Sequence, residues 1–176
     1  MNVALIGPMG AGKSTVGRLL ARELGLSFVD SDHEIEARTG VKIPVIFDLE
    51  GEAGFRRREA QIVDELTQRD NMVLATGGGA ILQAENRDHL RSRTTVIYLR
   101  ASLNELWHRV QHDRNRPLLQ SENPRQKLAQ LLEQRMPLYE QTAHFTVESN
   151  GHSAHHVINK IMQLLQPAKS IGDLNQ

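Results

Sequence analysis

Eight residues near the N-terminus constrain this chain more than any others: Gly7-Pro8-Met9-Gly10-Ala11-Gly12-Lys13-Ser14, a Gly-x-x-x-x-Gly-Lys-Ser run. Residues 3–7 lead into it as a short apolar run that suits a buried strand. Residues 13–24 follow it with Val16, Leu19, Leu20 and Leu24 on one helical stripe, stopped by Gly25. A glycine-rich turn between a strand and a helix lets several backbone N–H groups point inward as an anion nest. The helix N-terminus adds partial positive charge. The pattern therefore predicts a phosphate-binding loop, with Gly10, Ala11, Gly12, Lys13, Ser14 and Thr15 around the phosphates. Lys13 is expected at the β and γ phosphates and the Ser14 hydroxyl on Mg²⁺. The loop alone does not choose between a kinase, an ATPase and a GTPase. The guanine-specifying Asn-Lys-x-Asp run is missing, since Asn159-Lys160 is followed by Ile161-Met162. ATP is the expected nucleotide.

The rest of the chain alternates strands with helices. Strands are expected at residues 3–7, 27–30, 72–75, 95–99 and 144–147. Helices are expected at 13–24, 31–40, 44–49, 52–69, 102–112, 124–141 and 153–165. Ser31 with Glu34 and Ser102 with Glu105 read as capping boxes. Such alternation implies a parallel sheet covered by helices on both faces. Ligands in such sheets gather at the carboxyl ends of the strands. Residues 113–123 are polar and form a candidate lid.

With 176 residues the chain suits one domain, placed at 1–166, with a frayed tail at 167–176. It has no cysteine, which excludes disulfides and thiolate metal sites. It lacks a signal peptide and any run long enough to span a membrane, so a soluble cytoplasmic protein is the expectation. Its formal net charge is zero, unlike a nonspecific nucleic-acid binder. Arginine supplies 16 of its 21 cations, which favours grip on carboxylates or phosphates, or reflects codon usage.

Position separates these readings. Asp30-Ser31-Asp32 ends the second strand beside the phosphate loop. Asp30 is placed to hold Mg²⁺ or its water, and Asp32 to orient a hydroxyl and take its proton. Alternatively, Asp32 is only an early acidic residue of a helix. In Phe55-Arg56-Arg57-Arg58-Glu59, Arg56 and Glu59 share a helical face, so Glu59 is placed to brace Arg56. Arg57 and Arg58 read as solvated. Thr76-Gly77-Gly78-Gly79 reads as close approach of a ligand to the backbone, or as a tight turn. Arg116 lies in the lid and Arg135 on the helix after it; each is either an anion ligand or a surface residue. His108 with His112, and His152 with His155 and His156, read as structural or surface histidines.

Together these motifs resemble the shikimate kinase family. The resemblance spans residues 3–165. It rests on Gly-x-x-Gly-x-Gly-Lys-Ser at 7–14, Asp-Ser-Asp at 30–32, Phe-Arg-x-x-Glu at 55–59, Thr-Gly-Gly-Gly at 76–79, Arg-Pro-Leu at 116–118 and Arg-x-Pro-Leu-Tyr at 135–139. It implies a nucleoside-monophosphate-kinase-like α/β fold with a five-stranded parallel sheet in the order 2-3-1-4-5. It implies phosphorylation of shikimate by ATP with Mg²⁺, on the route to chorismate, by a monomer. It further implies that Lys13, Asp32 and Arg116 are catalytic. Asp32, Arg56, Gly77, Gly78, Gly79 and Arg135 would contact shikimate, and Ser14 and Asp30 the metal. Arg109 matches an arginine near adenine. His152 falls in the adenine-flanking loop, where relatives carry Arg or Gln. A kinase for another small acid such as gluconate, and a non-catalytic nucleotide-binding domain, are the rival readings.

Overall fold

The computed structural model describes residues 1–166. Its centre is a parallel sheet of β1 (Asn2–Ile6), β2 (Ser27–Asp30), β3 (Met72–Ala75), β4 (Thr95–Arg100) and β5 (Phe145–Glu148), in the order β2-β3-β1-β4-β5. This is the order that the resemblance implies. Leu5 pairs with Ala75 and with Ile97, and Leu99 with Val147. The three central strands are buried on both faces, which is why they read as unbroken apolar runs. Edge strands β2 and β5 are more exposed.

Alternation along the strands divides the core in two. Val3, Leu5, Val73, Ile97 and Leu99 pack on α1 (Lys13–Leu24), α5 (Leu103–Val110) and α7 (Ala154–Leu165). Ala4, Ile6, Leu74, Val96 and Tyr98 pack on α2 (Ser31–Thr39), α3 (Ile43–Thr67) and α4 (Ala84–Arg93). The long α6 (Pro124–Thr142) supplies Leu128 and Leu131 to the first cluster and Tyr139 to the second.

Four local expectations are revised. Helix α2 is not capped by Ser31: the Asp30 carboxylate accepts from the amides of Asp32 and His33. Ser31 sits one residue inside, buried, and its Oγ accepts from the Gly77 amide at 3.1 Å. The two helices expected at 44–49 and 52–69 are joined into α3, bent at Gly51, whose φ of 69° a side chain would resist. Helix α5 stops at Val110 instead of running to His112, although Ser102 caps it as expected. Helix α4 is not marked by the sequence pattern. Of its ten residues only Asn86 and Leu90 are buried, so no apolar stripe announces it.

Helix α4 nevertheless does a specific job. Arg91 Nη1 donates to the carbonyls of Gln141, Thr142 and Ala143 at 3.1–3.2 Å, closing the C-terminal end of α6. Among the described residues no helix is long and apolar enough to cross a membrane. The tail expected at 167–176 lies outside the described residues.

Candidate active site

Three charged side chains are buried among the described residues: Lys13, Glu59 and Arg135. Burying a charge is costly unless it is paired. All three lie beyond the carboxyl ends of β1, β2 and β3, where two cavities meet.

The first cavity follows the glycine-rich loop. It is lined by Gly10, Gly12, Lys13, Ser14, Thr15, Asp30 and Thr76, among others. Gly10 has a φ of 82°, and a Cβ there would lie 2.7 Å from Val110 Cγ1, so the loop packs directly on α5. Ala11 turns into the core, and its amide donates to the Pro8 carbonyl at 3.2 Å; it is the one expected loop residue that does not line the cavity. Lys13 Nζ donates to the carbonyls of Gly7 and Pro8 at 2.7 and 2.8 Å. Burial pushes its ammonium down to about 7, with the Arg116 guanidinium adding and the carboxylates of Asp32 and Asp30 opposing. Ser14 Oγ donates to Asp30 Oδ2 at 2.5 Å, while Asp30 Oδ1 caps α2. A hydroxyl beside one carboxylate is a donor set that fits Mg²⁺. That ion binds through few protein groups and keeps phosphates and water as its other ligands.

The second cavity is lined by Asp32, Arg56, Glu59, Gly77, Gly78, Gly79, Arg116 and Arg135. Ile43, Phe47 and Phe55 form its apolar wall. Phe47 and Phe55 come from opposite sides of the Gly51 bend and meet with ring centroids 5.0 Å apart. Arg56 Nη1 donates to Glu59 Oε1 at 2.7 Å, the bracing expected from their spacing. Arg57 and Arg58 are exposed, and Arg58 pairs with Glu50 on the surface.

The three glycines make room for the site's own side chains. A Cβ on Gly77 would lie 2.7 Å from Asp32 Oδ1 and 2.9 Å from Glu59 Oε2. One on Gly79 would collide with the Arg56 guanidinium, whereas one on Gly78 would meet only ordinary contacts, Met9 N at 3.4 Å being the nearest. Close approach rather than turn geometry explains the run, but much of it is approach by protein. Asp32 Oδ1 and Glu59 Oε2 are buried without a hydrogen-bond partner among the described residues. Burial pushes the Asp32 carboxyl up to about 7, helped by the Glu59 and Asp30 charges and opposed by Lys13 and Arg116. Glu59 is also raised, by burial, against the pull of Arg56.

The two cavities share a wall of Met9, Asp32, Gly77, Gly78 and Arg116. Arg116 Nε donates to Asp113 Oδ2 at 3.0 Å, which ties it within residues 113–123. Two expected residues lie elsewhere. Arg109 Nη1 donates to the Gly10 carbonyl at 2.8 Å and Nη2 to the Ser149 carbonyl at 3.3 Å, so it joins the loop to the segment after β5. His152 is exposed in that segment and stacks on His156, with centroids 4.2 Å apart. The sequence reading missed Ser31 and Tyr139 as supports of the glycines. Tyr139 Oη donates to the Gly78 carbonyl at 2.6 Å. Their chemistry depends on which strand end faces them, and no local pattern carries that.

Comparison with known proteins points the same way. The family model for shikimate kinase matches residues 9–166. A shikimate kinase of Burkholderia pseudomallei is 58% identical over 168 residues, 96% of this chain and 91% of that one. The structure of shikimate kinase from Acinetobacter baumannii in complex with shikimate superposes with a TM-score of 0.91 at 56% identity, covering 93% of this chain and 91% of that one. That of shikimate kinase from Aquifex aeolicus does so with a TM-score of 0.82 at 34% identity, covering 93% and 95%.

Proposed function

Because the chain belongs to the shikimate kinase family, we propose that it transfers the γ-phosphoryl group of ATP to the 3-hydroxyl of shikimate, giving ADP and shikimate 3-phosphate. The observation that carries this reading is the shared wall. A cavity built for phosphates and a cavity built for a carboxylate meet at Asp32 and Arg116. A group can pass between two ligands only where they touch.

The loop amides and Lys13 hold the β and γ phosphates. Ser14 and Asp30 hold Mg²⁺, which supplies charge neutralisation at the phosphates. Arg56, already braced by Glu59, and Arg135 hold the acceptor's carboxylate. Phe47, Phe55 and Ile43 cover the ring. Gly77, Gly78 and Gly79 bring the backbone against it. The acceptor hydroxyl then faces the Asp32 carboxylate, which lines both cavities. A new bond forms between that hydroxyl oxygen and the γ-phosphorus as the bond to the β–γ bridging oxygen breaks. The hydroxyl proton goes to Asp32, whose carboxyl at about 7 is matched to neutral pH. Arg116 closes with the lid and stabilises charge on the transferring oxygens. Arg109 and His152 flank the adenine side.

Gluconate also carries a carboxylate and hydroxyls, but it is a flexible chain. An apolar wall of two aromatic rings suits a carbocycle better. A purely nucleotide-binding domain would have no use for a second, carboxylate-gripping cavity. The deciding measurement is ADP release with shikimate, with gluconate and with no acceptor. Release that depends on shikimate is expected. Equal release in all three, or preference for gluconate, would overturn the assignment.

A further inference from the structure

Tyr139 is an unusually placed phenol. Its ring is fully buried and stacks on Tyr98 with centroids 5.0 Å apart. Its hydroxyl donates to the Gly78 carbonyl at 2.6 Å. Arg135 stands one helical turn earlier on α6, on the same face, and its guanidinium neighbours that hydroxyl. Tyr139 therefore touches both halves of the acceptor site, the glycine run after β3 and the arginine on α6, although it does not line the cavity itself.

The glycine run needs such a hold. Without side chains it has no packing of its own to define it. Its peptides are pinned from three sides. Thr76 Oγ1 donates to the Leu5 carbonyl at 3.0 Å, Ser31 Oγ accepts from the Gly77 amide at 3.1 Å, and Tyr139 takes the Gly78 carbonyl. A peptide unit is planar, so fixing the Gly78 carbonyl fixes the direction of the Gly79 amide on the same plane. The amides of Gly78 and Gly79 have no hydrogen-bond partner among the described residues, and both glycines line the acceptor cavity.

We propose that Tyr139 is a positioning residue for the acceptor: its hydroxyl holds the Gly78–Gly79 peptide so that its amide faces the acceptor's carboxylate at the spacing set by Arg135. The inference rests on the functional reading above. One hydroxyl thus adds a polar tie between a strand end and a helix that otherwise meet through packing of α6 on residues 80–82.

Tyr98 supplies the control. It is the other ring of the same stack, equally buried, and its hydroxyl has no hydrogen-bond partner among the described residues. Tyr98→Phe and Tyr139→Phe remove the same atom from the two rings. Tyr139→Phe should raise the shikimate KM about tenfold, as loss of a partner for a half-buried carbonyl allows. Its ATP KM should stay put, its kcat should fall less than its KM rises, and an acceptor lacking the carboxylate should not register the change. Tyr98→Phe should leave all these values unchanged. An unchanged shikimate KM in Tyr139→Phe, or an equal loss in both variants, would overturn the proposal in favour of packing alone. Absence of turnover in the unaltered chain would instead overturn the acceptor assignment. Crystal structures of the two variants read the device without any substrate. The Gly78 peptide should rotate in Tyr139→Phe and keep its place in Tyr98→Phe, and an unmoved peptide in both would overturn it.

Discussion

The phosphate cavity and the acceptor cavity share a wall, yet they are built on opposite plans. The first is made largely of main chain. Its donors come from one contiguous run, and its shape follows from glycines that admit a particular backbone path. The second is made of side chains brought from α2, α3, residues 113–123 and α6, and its glycines serve to leave space. A site of the first kind survives any change that keeps the local path. One of the second kind depends on the register of the whole sheet, so single substitutions should divide cleanly between the two.

The largest expected effect falls on the wall itself. Asp32→Asn keeps size and reach but cannot take a proton, so kcat should drop by about 10²–10⁴-fold with ATP affinity nearly unchanged. Asp30→Asn should differ in kind, with a defect that eases as Mg²⁺ is raised. Near-full turnover in Asp32→Asn, or its rescue by Mg²⁺, would mean that the two aspartate roles are exchanged. Arg135→Ala comes next. It leaves the acceptor's carboxylate half-paired in a buried place, costing about 2–5 kcal/mol in kcat/KM for shikimate. With an analogue lacking the carboxylate, the same variant should lose little. Equal losses on both would break the distinction between an acceptor site of side chains and a loop of amides.

A smaller effect is thermodynamic and belongs to the metal-free and nucleotide-free protein. Asp32 titrates near 7 when folded, against an ordinary carboxylate value near 4 when unfolded. The folded chain holds a proton that the unfolded chain releases in between. The stability that this proton contributes is complete below about pH 4 and is lost as pH rises through about 7. Asp32→Asn lacks this loss. Urea unfolding should show the variant gaining on the unaltered chain by roughly 1–3 kcal/mol between about pH 5 and about pH 8. Parallel curves would remove the elevated carboxyl from the account. The smallest effect is expected from Arg57→Ala. Its side chain is exposed, and steady-state constants for both substrates should not move. A rise in shikimate KM would extend the acceptor site beyond Arg56.

The same contrast explains what the sequence could disclose. Residues 7–14 are legible because strand, turn and helix N-terminus follow one another without interruption. Arg56 and Glu59 are legible as a pair because helical spacing alone brings them together. Arg135 and Asp32 carry no such local mark, and their meeting depends on the strand order 2-3-1-4-5, which the family resemblance supplied. Ser31 misled in a particular way. Its spacing to Glu34 suggests a cap, but the preceding Asp30 carboxylate reaches the same amides and frees Ser31 for Gly77. Helix α4 was invisible because β4 and α3 bury little of it beyond Asn86 and Leu90, and its arginines act on backbone carbonyls elsewhere.

The triple grip of Arg91 on the last carbonyls of α6 gives that helix the mechanics of a cantilever. Its 19 residues span about 28 Å. The clamped end carries Tyr139 and Arg135, and the far end emerges from residues 113–123. Leu128 and Leu131 seat the beam again nearer its tip, so the overhang is short, and the acceptor's arginine lies between the two supports, shielded from deflection at the tip.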